Sequence, residues 1–386
     1  MTRVAAVTVA RSDYGILRPV LGALRADPGF HVEVIAAATH LSPAFGLTVR
    51  QVEADGYPPV ARVEMTIAGD TPTAIALSTG LGVQGFASAI ASASPDLLLL
   101  VGDRFETLAA GVAAVLLTVP IVHLHGGEVT EGAFDDQIRH ALTKMSHVHC
   151  VSTDAAGRRV AQMGEEDWRI CVSGAPGLDS LFHVRRLSRE ALEARIGLSL
   201  STPPLLVTFH PVTLQTETIA AEVDALIAAL SRVDLPVVAT APNADTAYAR
   251  IRAAWAAFAA ERPGRVALVE SLGTEGYVSL LYEAAAMVGN SSSGLIEAPA
   301  VPLPVVNIGV RQAGRDRAAN VIDVAPEADA IEAAIRRAVR PEFRASLEGL
   351  VNPYGDGHAA ARIVTHLRTL PDRATLLRKR FVEIQP

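Results

Sequence analysis

Short runs of Val, Ile and Leu recur along the chain at 4–10, 32–37, Leu97–Val101, Ile121–Leu124, Val148–Val151 and Ile170–Val172, and none of them alternates with polar residues. A strand with one wet face must alternate, whereas a strand covered on both faces need not, so these runs point to a parallel sheet with helices on either side. The segments between them carry helical apolar spacing, and the first half reads as a doubly wound α/β domain. After Pro176 an Arg-rich stretch leads to Arg195 and the pattern restarts. Strands are expected at 205–209, Val237–Thr240, Val266–Val269, 287–289 and Val305–Ile308, with Ala-rich helices such as 220–230 and 247–260 between them. No fixed repeat of about 20 to 50 residues is present, which sets aside a helical solenoid. The expected fold class is therefore α/β with two Rossmann-like domains, 1–178 and 179–356. A chain of 386 residues at about 150 per domain agrees with two to three domains.

Half of the residues are hydrophobic and 19% are charged, with 34 basic against 41 acidic for a net charge of −7. That composition excludes a disordered chain. No Lys/Arg block precedes the last ten residues, so no surface for a phosphate backbone is expected, nor a nucleic-acid partner. Cys150 and Cys171 are the only cysteines and lack C-x-x-C spacing, leaving no disulfide framework or thiolate zinc site and suggesting a cytoplasmic protein. The apolar start lacks a small-residue cleavage site and reads as a buried first strand. The apolar stretch 108–124 approaches membrane-spanning length, but Thr118 and Pro120 divide it into a helix to Leu117 and a strand from Ile121, so no membrane association is expected.

In open α/β sheets ligands bind beyond the carboxyl ends of the strands, so two facing sheets would place a ligand in the cleft between them. The loops at those ends hold the unusual polar residues. After the first strand come Arg11-Ser12-Asp13-Tyr14-Gly15 and a helix from near Ile16, a setting for an anion or an ordinary helix cap. Asp103 in Gly102-Asp103-Arg104-Phe105-Glu106 could act on a ligand or cap the next helix. Strand alternation would put His123 and His125 on one side, where with Glu128 they could form a metal set or serve as acids and bases. No third ligand has metal-motif spacing, and the acid–base reading requires neither metal nor cofactor. Asp135 and Asp136 open a helix, where dipole capping competes with catalysis. In the second half His210 follows a strand, and Asn290-Ser291-Ser292-Ser293-Gly294 precedes a helix carrying Glu297, a pattern that could surround a diphosphate and bind a ribose. Arg311, Arg315 and Arg317 could reach a phosphate or stay solvated. Gly80-Leu81-Gly82-Val83-Gln84-Gly85 matches a dinucleotide fingerprint but follows a helical stretch instead of a strand, so nicotinamide binding is not expected.

Taken together, Arg-Ser-Asp-Tyr-Gly, Gly-Asp-Arg-Phe-Glu, His-Leu-His-Gly-Gly-Glu-Val-Thr-Glu-Gly, Asp-Asp-Gln-Ile-Arg-His-Ala-Leu-Thr-Lys and Gly-Asn-Ser-Ser-Ser-Gly resemble the hydrolysing UDP-N-acetylglucosamine 2-epimerases of bacterial sialic acid synthesis, in order and spacing from Val4 to about His366. The resemblance implies a glycosyltransferase-B-type fold with the nucleotide held mainly by the C-terminal domain, and a tail, 357–386, whose helix packs back on the N-terminal domain. It implies that Asp103, Asp135 and Asp136 are catalytic and that His210 lies near the phosphates and takes part. It also implies UDP contacts from Arg11, Ser12, Arg104, His210, Asn243, Ser271, Ser291, Ser292, Glu297 and Arg311. Several relatives carry a catalytic Glu where this chain has His125, which makes Glu128 the stronger carboxylate candidate beside His125. The implied reaction is elimination of UDP to a 2-acetamidoglucal followed by hydration to N-acetylmannosamine. A UDP- or GDP-linked 2,4-diacetamido-trideoxyhexose of legionaminic acid synthesis, or a non-hydrolysing epimerisation, are the alternatives. A homodimer or homotetramer is implied.

Overall fold

Seven strands of the first half, β1 (Thr2–Thr8), β2 (Phe30–Ala37), β3 (Ala61–Val63), β4 (Leu97–Val101), β5 (Ile121–Leu124), β6 (Val148–Val151) and β7 (Ile170–Val172), form one sheet in the order β3-β2-β1-β4-β5-β6-β7. Every neighbouring pair is parallel. In the second half β8 (Leu205–Thr208), β9 (Val237–Thr240), β10 (Val266–Val269), β11 (Ala286–Gly289), β12 (Val305–Ile308) and β13 (Val321–Val324) form a second parallel sheet in the order β10-β9-β8-β11-β12-β13. This is a computed structural model that describes residues 1–67, 69, 71–131, 134–210, 217–240 and 248–383. Each sheet reverses its strand order once, between β1 and β4 and between β8 and β11, so both halves are Rossmann-like.

The chain divides into two units. One comprises Met1–Glu128, Asp135–Ser180 and Tyr354–Pro386, and the other Val129–Phe134 and Leu181–Pro353. In the first unit, Leu97, Leu99 and Val101 of β4 face Leu17 and Leu21 of the helix Arg11–Ala26 and Ile363 and Leu367 of the helix Ala359–Arg368. Leu98 and Leu100 point the other way, to Phe86 and Ile90 of the helix Pro72–Ala93 and Ala109 and Ala113 of the helix Phe105–Leu116. Every residue of β4 and β5 is buried, which is why neither strand alternates.

The differences from the sequence reading lie at edges and ends. β3 and β13 were not anticipated: each pairs on one side only, and partial exposure breaks the apolar run. β1 ends at Thr8, so Val9 and Ala10 are buried outside the ladder, and the following helix begins at Arg11 instead of near Ile16. The glycine motif at 80–85 lies within the helix Pro72–Ala93, where it serves packing. A Cβ on Gly82 would lie 2.5 Å from Met65 Cε, and one on Gly85 2.5 Å from Val63 Cγ1. By length and composition this helix alone among the described residues could cross a membrane, yet its Phe86, Ala89 and Ile90 pack into the core of the first unit.

The C-terminal segment is tied to the first unit by buried charge. Lys379 Nζ lies 2.8 Å from the fully buried Glu165 carboxylate, which also takes Lys144 at 2.6 Å and His149 at 3.1 Å. Against the cost of burial, the hydrogen bonds from His149 and from the two lysine ammonium groups hold the Glu165 pKa down to about 2. Lys144 sits in the last turn of the helix Asp135–Met145, so the same cluster anchors the far end of the helix that carries Asp135 and Asp136.

Candidate active site

At the switch point of the first sheet the chain leaves β1 and β4 side by side, with Val4, Ala5 and Ala6 in register with Leu97, Leu98 and Leu99. Gly102, at φ +70°, turns the chain out of β4, and Arg104 caps the next helix through its backbone alone. Asp103 is therefore not the helix cap. Its carboxylate is bound by Arg139 Nη2, whose Nη1 donates to the carbonyl of Glu128 at 3.1 Å and lies 3.7 Å from Asp136. Arg139 is 2% exposed, so one buried guanidinium joins two acidic side chains and the backbone of a third candidate. Helical i,i+3 spacing brings Arg139 under Asp136, and His140 Nε2 lies 3.5 Å from Asp136 one residue further on. Asp135, beside it, is half-buried in the same first turn.

The two histidines do not share a face. His123 lies inside β5, but His125 follows it at φ +63°, and that left-handed residue breaks the strand alternation. His123 Nε2 donates to Gly102 O at 2.7 Å, and burial pushes its pKa down to about 3, so it holds the Asp103 loop as a neutral imidazole. His125 Nδ1 instead meets Glu128 Oε1 at 2.6 Å, and Ser152 Oγ donates to the same oxygen at 2.6 Å. The set His123, His125 and Glu128 is thus not assembled as a metal triad, and among the described residues no group of three His, Cys, Asp or Glu is placed to hold an ion. Gly126 and Gly127 shape this turn: a Cβ on Gly126 would lie 2.9 Å from His123 Nδ1, and one on Gly127 2.4 Å from Ala156 O. On the β1 side, Arg11 and Ser12 are exposed in the first turn of their helix, and Arg104 pairs with the buried Glu106 at 3.3 Å.

The switch point of the second sheet is built differently. His210 N–H donates to Asn290 Oδ1 at 2.7 Å and Asn290 Nδ2 donates back to His210 O at 2.8 Å, joining the ends of β8 and β11. Gly289 approaches Thr208 so closely that a Cβ would lie 2.0 Å from its carbonyl oxygen. Arg311 Nη1 and Gln312 Nε2 both donate to Asn290 O, at 3.2 and 2.8 Å. Burial, with Arg311 nearby, pushes the His210 pKa down to about 3. The serine-rich stretch departs from expectation, because its helix is the single turn Ser293–Ile296 and Glu297 is the C-cap. Amides of Gly294 to Glu297 bond within that turn, so no long helix dipole faces a ligand, while Ser291 and Ser292 stay half-buried ahead of it. Ser293 Oγ pairs with Tyr277 OH at 2.5 Å. Ser271 is exposed and accepts from Gly273 N–H at 3.2 Å, as a local turn. Arg315 donates to Val129 O and Thr130 Oγ1 at 3.0 and 3.1 Å, and Arg317 to Asp323, which assigns both to structure. Asn243 lies outside the described residues.

Arg139 and Asn290 stand within the sequence motifs without a role of their own there, and Ser152 and Gln312 lie outside them. The i,i+3 relation of Arg139 to Asp136, and the position of Ser152 just beyond β6, were usable signals. The two backbone-binding amides become apparent only in the fold.

A family model described as UDP-N-acetylglucosamine 2-epimerase matches residues 22–368. The chain is 35% identical to the UDP-N,N'-diacetylbacillosamine 2-epimerase (hydrolyzing) of Legionella pneumophila over 97% of each chain. It is 31% identical to the GDP/UDP-N,N'-diacetylbacillosamine 2-epimerase (hydrolyzing) of Campylobacter jejuni over 99% of each. Its fold is similar to the crystal structure of UDP-GlcNAc 2-epimerase from Neisseria meningitidis bound to UDP-GlcNAc, with TM-score 0.81 and 17% identity over 95% of this chain and 100% of that one. The chain therefore belongs to the UDP-N-acetylglucosamine 2-epimerase family and is an enzyme, a hydrolysing 2-epimerase of sugar nucleotides.

Proposed function

We propose that this enzyme converts a UDP-linked 2,4-diacetamido-trideoxyhexose of the N,N'-diacetylbacillosamine type, with water, to the free manno-configured sugar and UDP, the reaction expected in legionaminic acid synthesis. The observation that carries the chemistry is the buried Arg139 tied at once to Asp103, Asp136 and the Glu128 backbone. The names of the two relatives at 35% and 31% identity support the substrate. UDP-N-acetylglucosamine is the second reading, favoured by the description of the matching family model.

The chemistry assigned to the residues runs in two steps. A base takes the C2 proton while the C1–O bond to the diphosphate breaks, and its electron pair leaves with UDP. Water then adds its oxygen to C1, and a proton returns to C2 on the opposite face. Two protonatable groups are needed, and Asp103 and the His125–Glu128 pair fill these roles, with Asp135 and Asp136 at the helix start completing the acid–base set. The nucleotide contacts are assigned to Arg11, Ser12 and Arg104 from the first unit and to His210, Asn243, Ser271, Ser291, Ser292, Glu297 and Arg311 from the second, with the guanidinium groups of Arg11, Arg104 and Arg311 meeting the charge on departing UDP. The nucleotide is held mainly by the second unit, and the enzyme works as a cytoplasmic homodimer or homotetramer.

The test is a panel of UDP- and GDP-linked amino sugars followed by chromatography of the products. Release of UDP with a free 2,4-diacetamido sugar is expected. Release only from UDP-N-acetylglucosamine would select the second reading, and a product still carrying UDP would overturn hydrolysis.

A further inference from the structure

Asp13 plays no part in the mechanism above, yet it lies in the first turn of the helix that leaves β1, on the strand that neighbours β4. It is 8% exposed, Ser12 Oγ donates to its Oδ1 at 3.3 Å, and its Oδ2 is buried without a hydrogen-bond partner. The charged groups that act on it come from the chain leaving β4: Asp103, Arg104 and Glu106. Asp13 thus shares its surroundings with two further carboxyls, Asp103 and Glu106, and one guanidinium, Arg104, while Arg139 is shared between Asp103 and Asp136. An ionised Asp13 would add negative charge where an anionic substrate must approach, and a buried ion with an unbonded oxygen is costly.

We propose that Asp13 is a proton-bearing carboxyl of the active site, uncharged when the diphosphate substrate binds, and that its ionisation sets the upper pH limit of substrate capture by Arg104. Burial, reinforced by Glu106 and Asp103 and opposed by Arg104, pushes its pKa up to about 7, inside the working range of an enzyme. Asp13 is thus a positioning residue that acts through the charge balance around Arg104. The inference rests on the proposed function only in naming the anion as a sugar nucleotide.

Two signs follow. In the unfolded chain Asp13 ionises near its ordinary value of 3.8, so the folded protein binds the extra proton between there and about 7. Stability from this group is full below that window and is lost as pH rises through about 7. Substrate binding, which favours the protonated form, draws a proton onto Asp13 above that pH.

The experiment compares wild type with Asp13→Asn, which keeps the shape of the neutral carboxyl and cannot ionise. Thermal midpoints of the ligand-free proteins are measured from about pH 5 to 8, and the variant is expected to gain several degrees on wild type across that range. In turnover of a sugar nucleotide, wild-type kcat/KM should fall above about pH 7 with a slope approaching tenfold per pH unit, and the variant should lack that limb. Parallel midpoint curves and a shared limb would overturn the proposal. If no sugar nucleotide is turned over, the functional reading fails while the midpoint curves still decide Asp13. Should the variant not fold, infrared difference spectra of the wild type decide: a protonated-carboxyl band lost near pH 7 supports the proposal, and its absence overturns it.

Discussion

The two switch points have the same topology and opposite chemistry. At the end of β4 and β5, side chains satisfy one another: Arg139 with Asp103 and Asp136, His125 and Ser152 with Glu128, Arg104 with Glu106. At the end of β8 and β11, two neutral amides and one guanidinium satisfy the backbone: Asn290 bridges His210 in both directions, and Gln312 and Arg311 donate to the Asn290 carbonyl. An array of mutually held acids and bases can relocate protons. A turn locked by amides presents a fixed surface and suits holding a ligand in place. The contrast is what supports the proposed division into a chemical half and a binding half, which fold alone would not reveal.

The largest effect separating the halves is expected from Asp103→Asn, which removes the charge and keeps the shape. Turnover should fall by about a thousandfold or more while UDP affinity by calorimetry stays within about threefold, since groups that act in the transition state affect rate more than binding. Arg139→Met comes next. It strands the Asp103 carboxylate beside an apolar side chain and should cost about 3 kcal/mol of unfolding free energy in urea, with part of that recovered when Asp103→Asn is added. In the other half, Arg311→Ala should weaken UDP binding by about 1.5–3 kcal/mol, read by calorimetry, with turnover at saturating substrate much less affected. Asn290→Ala removes the side chain that pairs with both the His210 N–H and its carbonyl and should cost about 1–2 kcal/mol of stability. Both halves share a smaller acid sensitivity. His123 and His210 are held near pKa 3 by burial, so below about 6.5 the unfolded chain takes protons that the folded chain refuses. Stability should drop by about 1 kcal/mol per histidine between about pH 7 and 5.5, and His210→Gln should remove its share.

The contrast was partly legible in the sequence. β4, β5 and β6 were readable to the residue because central, covered strands are apolar throughout, and the edge strand β7 because Ile170-Cys171-Val172 is apolar although not buried, whereas β3 and β13 are edges whose polar residues and mixed exposure hide them. Asp103, Glu128 and Asp136 could be picked out as titratable groups following strands. Their organiser could not, because the value of Arg139 depends on which loop lies above its helix. The expectation for His123 and His125 failed on one backbone angle, since alternation holds only while the strand continues. The helix expected to carry Glu297 differs similarly: a serine-rich start suggests a helix, but Pro299 follows, the helix closes after one turn and Glu297 is its C-cap.

The fate of the C2 proton tests the proposed chemistry most directly. Turnover of the sugar nucleotide in heavy water, with the product examined by NMR, should yield free manno-configured sugar carrying one deuterium at C2 and an equal amount of UDP, because an acid–base array takes one proton and returns another from solvent. A product that keeps its original hydrogen at C2 would contradict the elimination and the role given to the Asp103 cluster.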